Sequence, residues 1–429
     1  MRLLSHARDL RAVGPEARAA PARDHIRGDG LDLGHRPVAV ALYDALLSGR
    51  HELIHGGLVS RHRLATRALL AALLFAASPA AHAELTPGTP APDFTGARVW
   101  INSTPLSLKK ELRNKVVLVD FWEYTCINCI RTLPALKRIY TRYKPYGFEI
   151  IGVHAPEFDF AYKPENVRIG TKRQRIPWPV VVDSDFSIWR AYDSNSWPNK
   201  FLIGSNGIIS RQHGGEGAYG ELERQIRAEI KKEHPKAAFP AAWTIPADED
   251  DFSPSRCGAM SEETYVGTTR GSRWGGEIAN REGFQPGKTA SYVSAPQQVR
   301  RGFSAHGLWK NNPDDFEHAR STPAPQDYIG IRYVGSEVYV VMNLKKGAGP
   351  SRVYVTRDRK PVPAARRGVD VQGDARGRTF IDLREGRMYY AIHGEDARPH
   401  ELRLSPTEPG VAINSFTFGN RCLTKFDRL

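Results

Sequence analysis

Cysteine is scarce in this sequence, with only Cys126, Cys129, Cys257 and Cys422 among 429 residues. Four cysteines are too few to hold a chain of this length together as a disulfide scaffold. No apolar run reaches the roughly 18 residues that a membrane-spanning helix needs, and no sequence repeat of fixed period is present. What remains is an ordinary globular composition, 41% hydrophobic and 25% charged. The length indicates two folded domains.

Long basic runs are also missing. The net charge is +14, from 61 Lys and Arg against 47 Asp and Glu, but these charges are dispersed along the chain. Proteins that bind nucleic acid usually concentrate their basic residues on one face or in one run. The composition therefore favours a basic exported protein, and we expect no nucleic-acid partner.

Lysine is absent from the first part of the chain, where residues 61–83 have the three parts of a secretory signal peptide. Basic residues come first, an apolar run follows at 68–77, and Ala81 and Ala83 are small residues at the positions that a signal peptidase reads. This order predicts cleavage before Glu84 and an exported chain, in the periplasm or another extracytoplasmic compartment. The alternative is a short hydrophobic helix of a folded domain.

Residues 1–60 precede this pattern, although a signal peptide normally begins a chain. They show no clear hydrophobic periodicity. We therefore expect residues 1–58 of this extension to lie upstream of the natural translation start, which we place near Val59.

An α/β domain is predicted for residues 84–233. Continuous apolar runs predict buried strands, and apolar residues at helical spacing predict two helices. Strands that alternate with helices are typical of α/β organisation. The predicted strands are 115–122, 148–153, 178–182, 200–203 and 208–210, and the predicted helices are 129–143 and 219–232.

Residues 234–254 contain four prolines and an acidic run, which predicts a linker. Residues 255–429 show no long helix but many short β-type runs separated by turn residues. This pattern is typical of an all-β sandwich of jelly-roll-like architecture. The runs are 327–334, 337–344, 352–356, 379–383, 388–392, 401–404 and 412–418.

Two of the cysteines form a C-x-x-C motif directly after a predicted buried strand. This spacing lets one helical turn bring both sulfurs within bonding distance. Cys126 would lie at a helix N-terminus, where the helix dipole stabilises a thiolate, so we expect a lowered pKa and a nucleophilic role. Cys129 would be the resolving thiol. Half of a zinc site and a structural disulfide are the alternatives.

The residues around this motif resemble a thioredoxin active site. Asp120 lies six residues before Cys126 and is followed by Phe121 and Trp122. Pro134 lies five residues after the second cysteine, and Pro198 precedes a later predicted strand. These positions are similar to those of the redoxin branch, the exported TlpA-like thioredoxins, over most of the α/β domain.

The resemblance extends to the C-terminal region of DipZ-type proteins, through the motif at 124–129 and the ending at 415–419. In that family a thioredoxin domain is followed by a β sandwich similar to a carbohydrate-binding module. The resemblance implies a thiol–disulfide oxidoreductase without a cofactor. Its partners would be disulfide or dithiol proteins, a membrane electron-transfer protein and, for the β domain, a glycan. The direction of electron flow stays open, because residues 127–128 differ from the thioredoxin Gly-Pro.

The resemblance also implies a role for each matched residue. Asp120, buried on its strand, would have a raised pKa and accept the proton of Cys129; a buried Asp satisfied by backbone donors is the alternative. Pro198 would follow a cis peptide bond in a loop beside the cysteines, where a substrate backbone docks. Trp122 would pack beside the site or simply in the core.

Other functions compete with this one. A thiol peroxidase is disfavoured because Glu123 and Val119 stand where peroxidases carry Thr or Ser and Pro. A copper chaperone is disfavoured by the two-residue spacing, although His154 and His213 are candidate metal-binding imidazoles. A glycan- or protein-binding sandwich with a vestigial redox domain needs exposed aromatic platforms. Its candidate platforms are Trp274, Trp309, Tyr389 and Tyr390, but core packing is favoured for each of them.

Cys257 and Cys422 bracket the predicted β domain. The first and last strands of a closed sandwich can be neighbours, so we expect a structural disulfide between these cysteines. Two free buried thiols are the alternative.

Overall fold

The computed structural model describes residues 85–96, 99–244, 260–273, 276–293, 295, 302–394 and 398–420. All of them belong to one compact unit, His82–Leu429. The predicted signal peptide, the upstream extension, Trp274, Cys257 and Cys422 lie outside the described residues. Their interpretations therefore stay predictions.

A mixed sheet of six strands forms the centre of the α/β domain. Its strands are β1 Val99–Ile101, β2 Val116–Trp122, β3 Phe148–His154, β4 Val180–Val182, β5 Asn199–Ile203 and β6 Ile209–Gly214. They lie in the order β1-β4-β3-β2-β5-β6. β2, β3 and β4 are parallel, and the other strands are antiparallel to their neighbours.

Helices cover both faces of this sheet. They are α1 Ile127–Tyr143, α2 Pro164–Arg173, α3 Ser187–Ala191 and α4 Tyr219–Glu233. Successive side chains of β2 point to opposite faces: Leu118 packs with Leu136 and Ile226 of α1 and α4, whereas Phe121 packs with Ile188 of α3. Every residue of β2 except Asp120 is apolar, because both faces of the strand are covered. Within the described part of the chain, no helix is long and apolar enough to cross a membrane.

The second domain is a β sandwich. Its strands are β7 Thr264–Tyr265, β8 Glu277–Ile278, β9 Thr289–Tyr292, β10 Gly302–Asn311, β11 Phe316–His318, β12 Tyr328–Tyr333, β13 Glu337–Leu344, β14 Ser351–Arg357, β15 Lys360–Pro361, β16 Val371–Gly373, β17 Thr379–Leu383, β18 Arg387–Ile392, β19 His400–Pro406 and β20 Val411–Gly419, with a short helix α5 at Thr268–Arg273. One sheet runs β16-β17-β14-β19-β12-β10 and the other β10-β11-β20-β13-β18. The two sheets share β10.

Gly307 marks the point at which β10 passes from one sheet to the other. Residues 303–306 pair with β12, and residues 307–310 pair with β9. Gly307 has φ of +91°, and a Cβ atom there would lie 2.0 Å from Cγ of Asp327. Only glycine fits this backbone conformation and this close approach.

The fold class predicted from the sequence, an α/β thioredoxin-like domain followed by a β sandwich, is confirmed. Each predicted strand and helix is present within a few residues of its predicted bounds. The sequence pattern does not predict α2, α3 or β10. The sequence of β10, GFSAHGLWKN, mixes small, polar and apolar residues, because this strand changes sheets at its middle.

The sandwich packs against the first turns of α1. Ile127 and Ile130 form an apolar cluster with Tyr339 of β13, and Met388 and Tyr390 of β18 pack at its margin. The N-terminal end of α1, where the cysteines lie, is therefore covered by the second domain.

Candidate redox site

The two cysteines lie where β2 leads into α1. Cys126 is the N-cap residue of α1, and its Sγ accepts a hydrogen bond of 3.2 Å from the backbone N–H of Cys129. The two Sγ atoms are 2.6 Å apart, and both thiols are free. Cys126 is partly exposed, whereas Cys129 is buried. This arrangement suits an attacking thiol that a substrate can reach and a resolving thiol that it cannot.

The expectation of a lowered pKa for Cys126 is wrong. Burial raises the pKa of this thiol well above its ordinary value, and the neighbouring Cys129 and the charge of Glu157 raise it further. The N–H of Cys129 favours the thiolate, as expected at a helix N-terminus, but it is outweighed. The physical reason is that the sandwich covers the helix end. A thiol whose pKa is raised reacts more readily when a neighbouring group accepts its proton.

Asp120 is buried in the middle of β2. Its Oδ1 has no hydrogen-bond partner in the described structure and lies 3.8 Å from Nζ of Lys200. Burial raises the pKa of Asp120 to about 6, although the charge of Lys200 acts to lower it. Burial also raises the pKa of Cys129, and Asp120 adds to this effect. The raised pKa predicted for Asp120 is present, in a range that suits proton exchange near neutral pH.

Pro198 lies at the same edge of the sheet. The Trp197–Pro198 peptide bond is cis, as the resemblance implies. β5 is antiparallel to β2, with Asn199 opposite Phe121, so Pro198 reaches the end of β2 from which the cysteine loop departs. The indole N–H of Trp197 donates to the carbonyl of Ala155 at 3.1 Å, which ties this loop to the end of β3.

Trp122 is buried in the apolar cluster that also contains Cys129. Its ring meets the ring of His154 edge-on, with centroids 5.5 Å apart. Trp122 is therefore a core residue, and the part of the core in which it packs also contains Cys129.

Two buried acidic residues near Cys126 are absent from the sequence-based candidates. Glu123 accepts hydrogen bonds from the N–H of Thr125, at 2.6 Å, and from its hydroxyl. Oε1 of Glu123 lies 3.5 Å from Nε2 of His154. Glu157 accepts hydrogen bonds on Oε1 from two residues of the sandwich domain, described below. Burial raises the pKa of Glu157 to about 7.

Lys200 was also missed as a site residue. A lysine inside an otherwise apolar strand is a signal that could have found it, because a buried cation needs a partner. No local pattern reveals Glu157, since its hydrogen-bond donors come from the other domain.

The two candidate imidazoles do not share a metal site. His154 is buried beside Glu123, and burial lowers the pKa of His213, which lies on β6. In the described ranges, no group of three or more His, Cys, Asp or Glu side chains could hold a metal ion.

The aromatic platforms expected of a glycan site are not formed by Trp309 and Tyr389. Both are fully buried in the sandwich core, where their rings contribute to folding rather than to a surface. Tyr390 is half-buried and stacks on Tyr339, with ring centroids 4.6 Å apart. Core packing, the favoured expectation for these aromatics, is confirmed for Trp309 and Tyr389, and Tyr390 packs against Tyr339.

Each of the two domains matches a known protein family. Residues 87–212 match the AhpC/TSA family, and residues 261–419 match the thioredoxin like C-terminal domain. Protein DipZ of Mycobacterium tuberculosis (strain CDC 1551 / Oshkosh) is 30% identical over 334 residues, or 77% of this chain. This chain is similar to DipZ, and its first domain is thioredoxin-like. It spans only 43% of the length of that relative.

Two further proteins are similar to the thioredoxin-like domain. Thiol-disulfide oxidoreductase ResA of Bacillus thuringiensis (strain Al Hakam) is 32% identical over 118 residues, 28% of this chain and 65% of that protein. A crystal structure of a thiol:disulfide interchange protein from Chlorobium tepidum TLS is 23% identical and covers 34% of this chain and 98% of its own, with a TM-score of 0.30.

Proposed function

We propose that this protein is an exported thiol–disulfide oxidoreductase that reduces or oxidises disulfides of extracytoplasmic proteins. The supporting observation is the pair of sulfur atoms 2.6 Å apart at the start of α1, one partly exposed and one buried. Attack of Cys126 on a substrate disulfide gives a mixed disulfide, and attack of Cys129 on that bond releases the reduced substrate. The similar protein ResA is named as a thiol-disulfide oxidoreductase.

Four residues support this exchange in the proposal. Asp120 accepts the proton of Cys129 as that thiol attacks, and Lys200 keeps enough of the carboxyl ionised to do so. Pro198 presents the loop on which the substrate backbone docks. Trp122 packs behind Cys129 and keeps water from the resolving thiol.

The direction of transfer determines the partners. A reductant in an oxidising compartment needs electrons from a membrane donor, which we propose as the partner for that direction. An oxidant needs only a protein that reoxidises it. We propose that the sandwich, besides its packing role, docks such a partner or a glycan.

The test is the equilibrium reduction potential of the Cys126–Cys129 pair in the full chain, measured in glutathione redox buffers. A potential near about −270 mV supports a reductase, and one near about −120 mV supports an oxidant. Cys126→Ser must abolish the couple. Absence of a reversible couple in the unmodified protein would refute the proposal.

A thiol peroxidase is the second candidate, because the match of residues 87–212 is to the AhpC/TSA family. Glu123 stands where peroxidases carry Thr or Ser, so the hydroxyl that would donate to a bound peroxide is missing at this position. Hydrogen peroxide consumption that depends on Cys126 and outpaces disulfide exchange would favour this candidate.

A further inference from the structure

Glu157 lies on the loop that leaves β3, next to the loop that carries Cys126. β2 and β3 are parallel, with Trp122 opposite His154, so both loops start at the same edge of the sheet. The contact between Glu123 and His154 joins the two loops at their base. Glu157 follows His154 by three residues, and Cys126 follows Glu123 by three.

The sandwich domain holds the Glu157 carboxylate. The hydroxyl of Tyr265 donates to Oε1 of Glu157 at 2.7 Å, and Nη1 of Arg270 donates to the same atom at 2.8 Å. Arg270 also lies over the rings of Phe158 and Tyr265, at 5.3 and 5.4 Å from their centroids. Tyr265 and Cys126 both pack at the margin of the same apolar cluster.

The two thiols therefore have parallel surroundings. Cys129 faces a buried carboxyl, Asp120, that is paired with Lys200. Cys126 is in the field of a second buried carboxyl, Glu157, that is paired with Arg270. Each thiol thus has a carboxyl group and a cation near it. For Cys126 the cation, Arg270, comes from the other domain.

We propose that Glu157 exchanges the proton of Cys126 during disulfide exchange, directly or through one water, and that Tyr265 and Arg270 are positioning residues that hold it. This inference rests on the proposed function. It makes the sandwich a part of the redox site.

The step balances in both directions. The Sγ of Cys126 attacks a substrate disulfide R–S–S–R′, its proton passes to the Glu157 carboxylate, the Cys126–S–S–R bond forms and R′–S⁻ leaves. Glu157 then returns the proton to the leaving thiolate, which gives R′–SH. In the oxidising direction Cys126 is the leaving group and receives the proton from Glu157.

The charge around Glu157 is compatible with this role. A pKa of about 7 allows the carboxyl both to accept and to donate a proton near neutral pH. Arg270 lowers the pKa of Glu157, and neighbouring acids raise it. The groups that face Glu157 or its partner Arg270 are Glu123, Glu263, Tyr265, Asp314 and, through Asp314, Asp159.

The test isolates the Cys126 step in the full chain. In a Cys129→Ser background, a small disulfide such as oxidised glutathione forms a stable mixed disulfide with Cys126, and its rate of formation is followed from pH 5 to 9. The Cys126→Ser/Cys129→Ser double variant supplies the background rate from other cysteines. We expect the rate to depend on an ionisation near pH 7.

Glu157→Gln should remove that ionisation and slow the reaction at pH 7 by about tenfold or more. The same variant should move the alkylation midpoint of Cys126 to lower pH, because a neighbouring negative charge is gone. Arg270→Met should move the ionisation to higher pH, and Arg270→Lys should leave it near its original place. Tyr265→Phe should move it in the same direction as Arg270→Met, but less.

The matched control is Tyr140→Phe, which removes a hydroxyl–carboxylate bond of equal length, 2.7 Å to Glu149, elsewhere in the same domain. It should leave the pH profile unchanged. An unchanged profile in Glu157→Gln, or an unchanged alkylation midpoint, would overturn the inference. If the inference fails but Cys126 and Cys129 of the unmodified protein form a reversible redox couple, the proposed function stands. If the unmodified protein has no such couple, the proposed function itself is refuted.

Discussion

Replacing Lys200 by methionine should leave Asp120 protonated at neutral pH. Lys200 Nζ lies 3.8 Å from Asp120 Oδ1, and at an effective dielectric of about 20 two unit charges at this distance interact by about 4 kcal/mol. A tenfold change in ionisation corresponds to about 1.4 kcal/mol. The pKa of Asp120 is already raised to about 6, so loss of the cation keeps the carboxyl neutral up to well above pH 7.

The expected consequence is slow release of substrate. A protonated Asp120 cannot accept the proton of Cys129, so the mixed disulfide on Cys126 persists, and its resolution should slow by about tenfold or more at pH 7. The assay starts from full chain loaded with glutathione on Cys126 and follows glutathione release against pH. Lys137→Met is the matched control, because Lys137 lies on α1 and its ammonium group donates to the Gln174 carbonyl, away from the thiols.

The reasoning is refuted if Lys200→Met releases glutathione at the unmodified rate while Asp120→Asn is slow. Thermal unfolding of each variant separates this outcome from a loss of fold. Lys200→Arg should retain most of the rate, because it retains the positive charge.

Three further outcomes are expected. Asp327→Asn should destabilise the full chain by about 2 to 3 kcal/mol at pH 7. Burial acts to raise the pKa of Asp327, but hydrogen bonds to its carboxylate, led by the one from Arg320, hold this pKa at about 2. This stability is present above about pH 4 and is lost as pH falls through 2, so urea unfolding of Asp327→Asn and of the unmodified chain should converge near pH 2. Gly307→Ala should cost about 2 kcal/mol or more in the same experiment, because a Cβ meets the Asp327 side chain; a variant of unchanged stability contradicts the account of β10. Non-reducing peptide mapping should recover Cys257 linked to Cys422, and alkylation of both would contradict the predicted disulfide.

Local patterns were sufficient for most of the fold. The apolar run of β2 predicts a strand covered on both faces, and the strand predicted at 379–383 has the same bounds as β17. The resemblance to thioredoxins implied that the C-x-x-C motif, Asp120 and Pro198 form one site, and the pairing of β5 with β2 places Pro198 at the end of β2 that leads to the cysteines. Pro198 is distant from the cysteines in sequence, so the resemblance links them and a local pattern does not.

The misses have a different cause. The expectation of a lowered pKa for Cys126 assumed a helix end open to water. Residues of the second domain cover this helix end, and burial raises the pKa of the thiol instead. Glu157 acquires its hydrogen-bond donors from residues distant in sequence, and nothing in its own neighbourhood marks it.

The burial of Ile127 against Tyr339 has a consequence for variants of this site. This residue stands between the two cysteines, at a position where thioredoxins vary their sequence and so adjust how readily the disulfide is reduced. In this protein the same residue anchors the second domain. A substitution of Ile127 that changes the reduction potential would therefore also remove part of the contact with the sandwich. An α/β domain produced without the sandwich would expose Ile127 and Ile130 as an apolar surface. Ile127 therefore links the sequence between the two cysteines to the packing of the two domains.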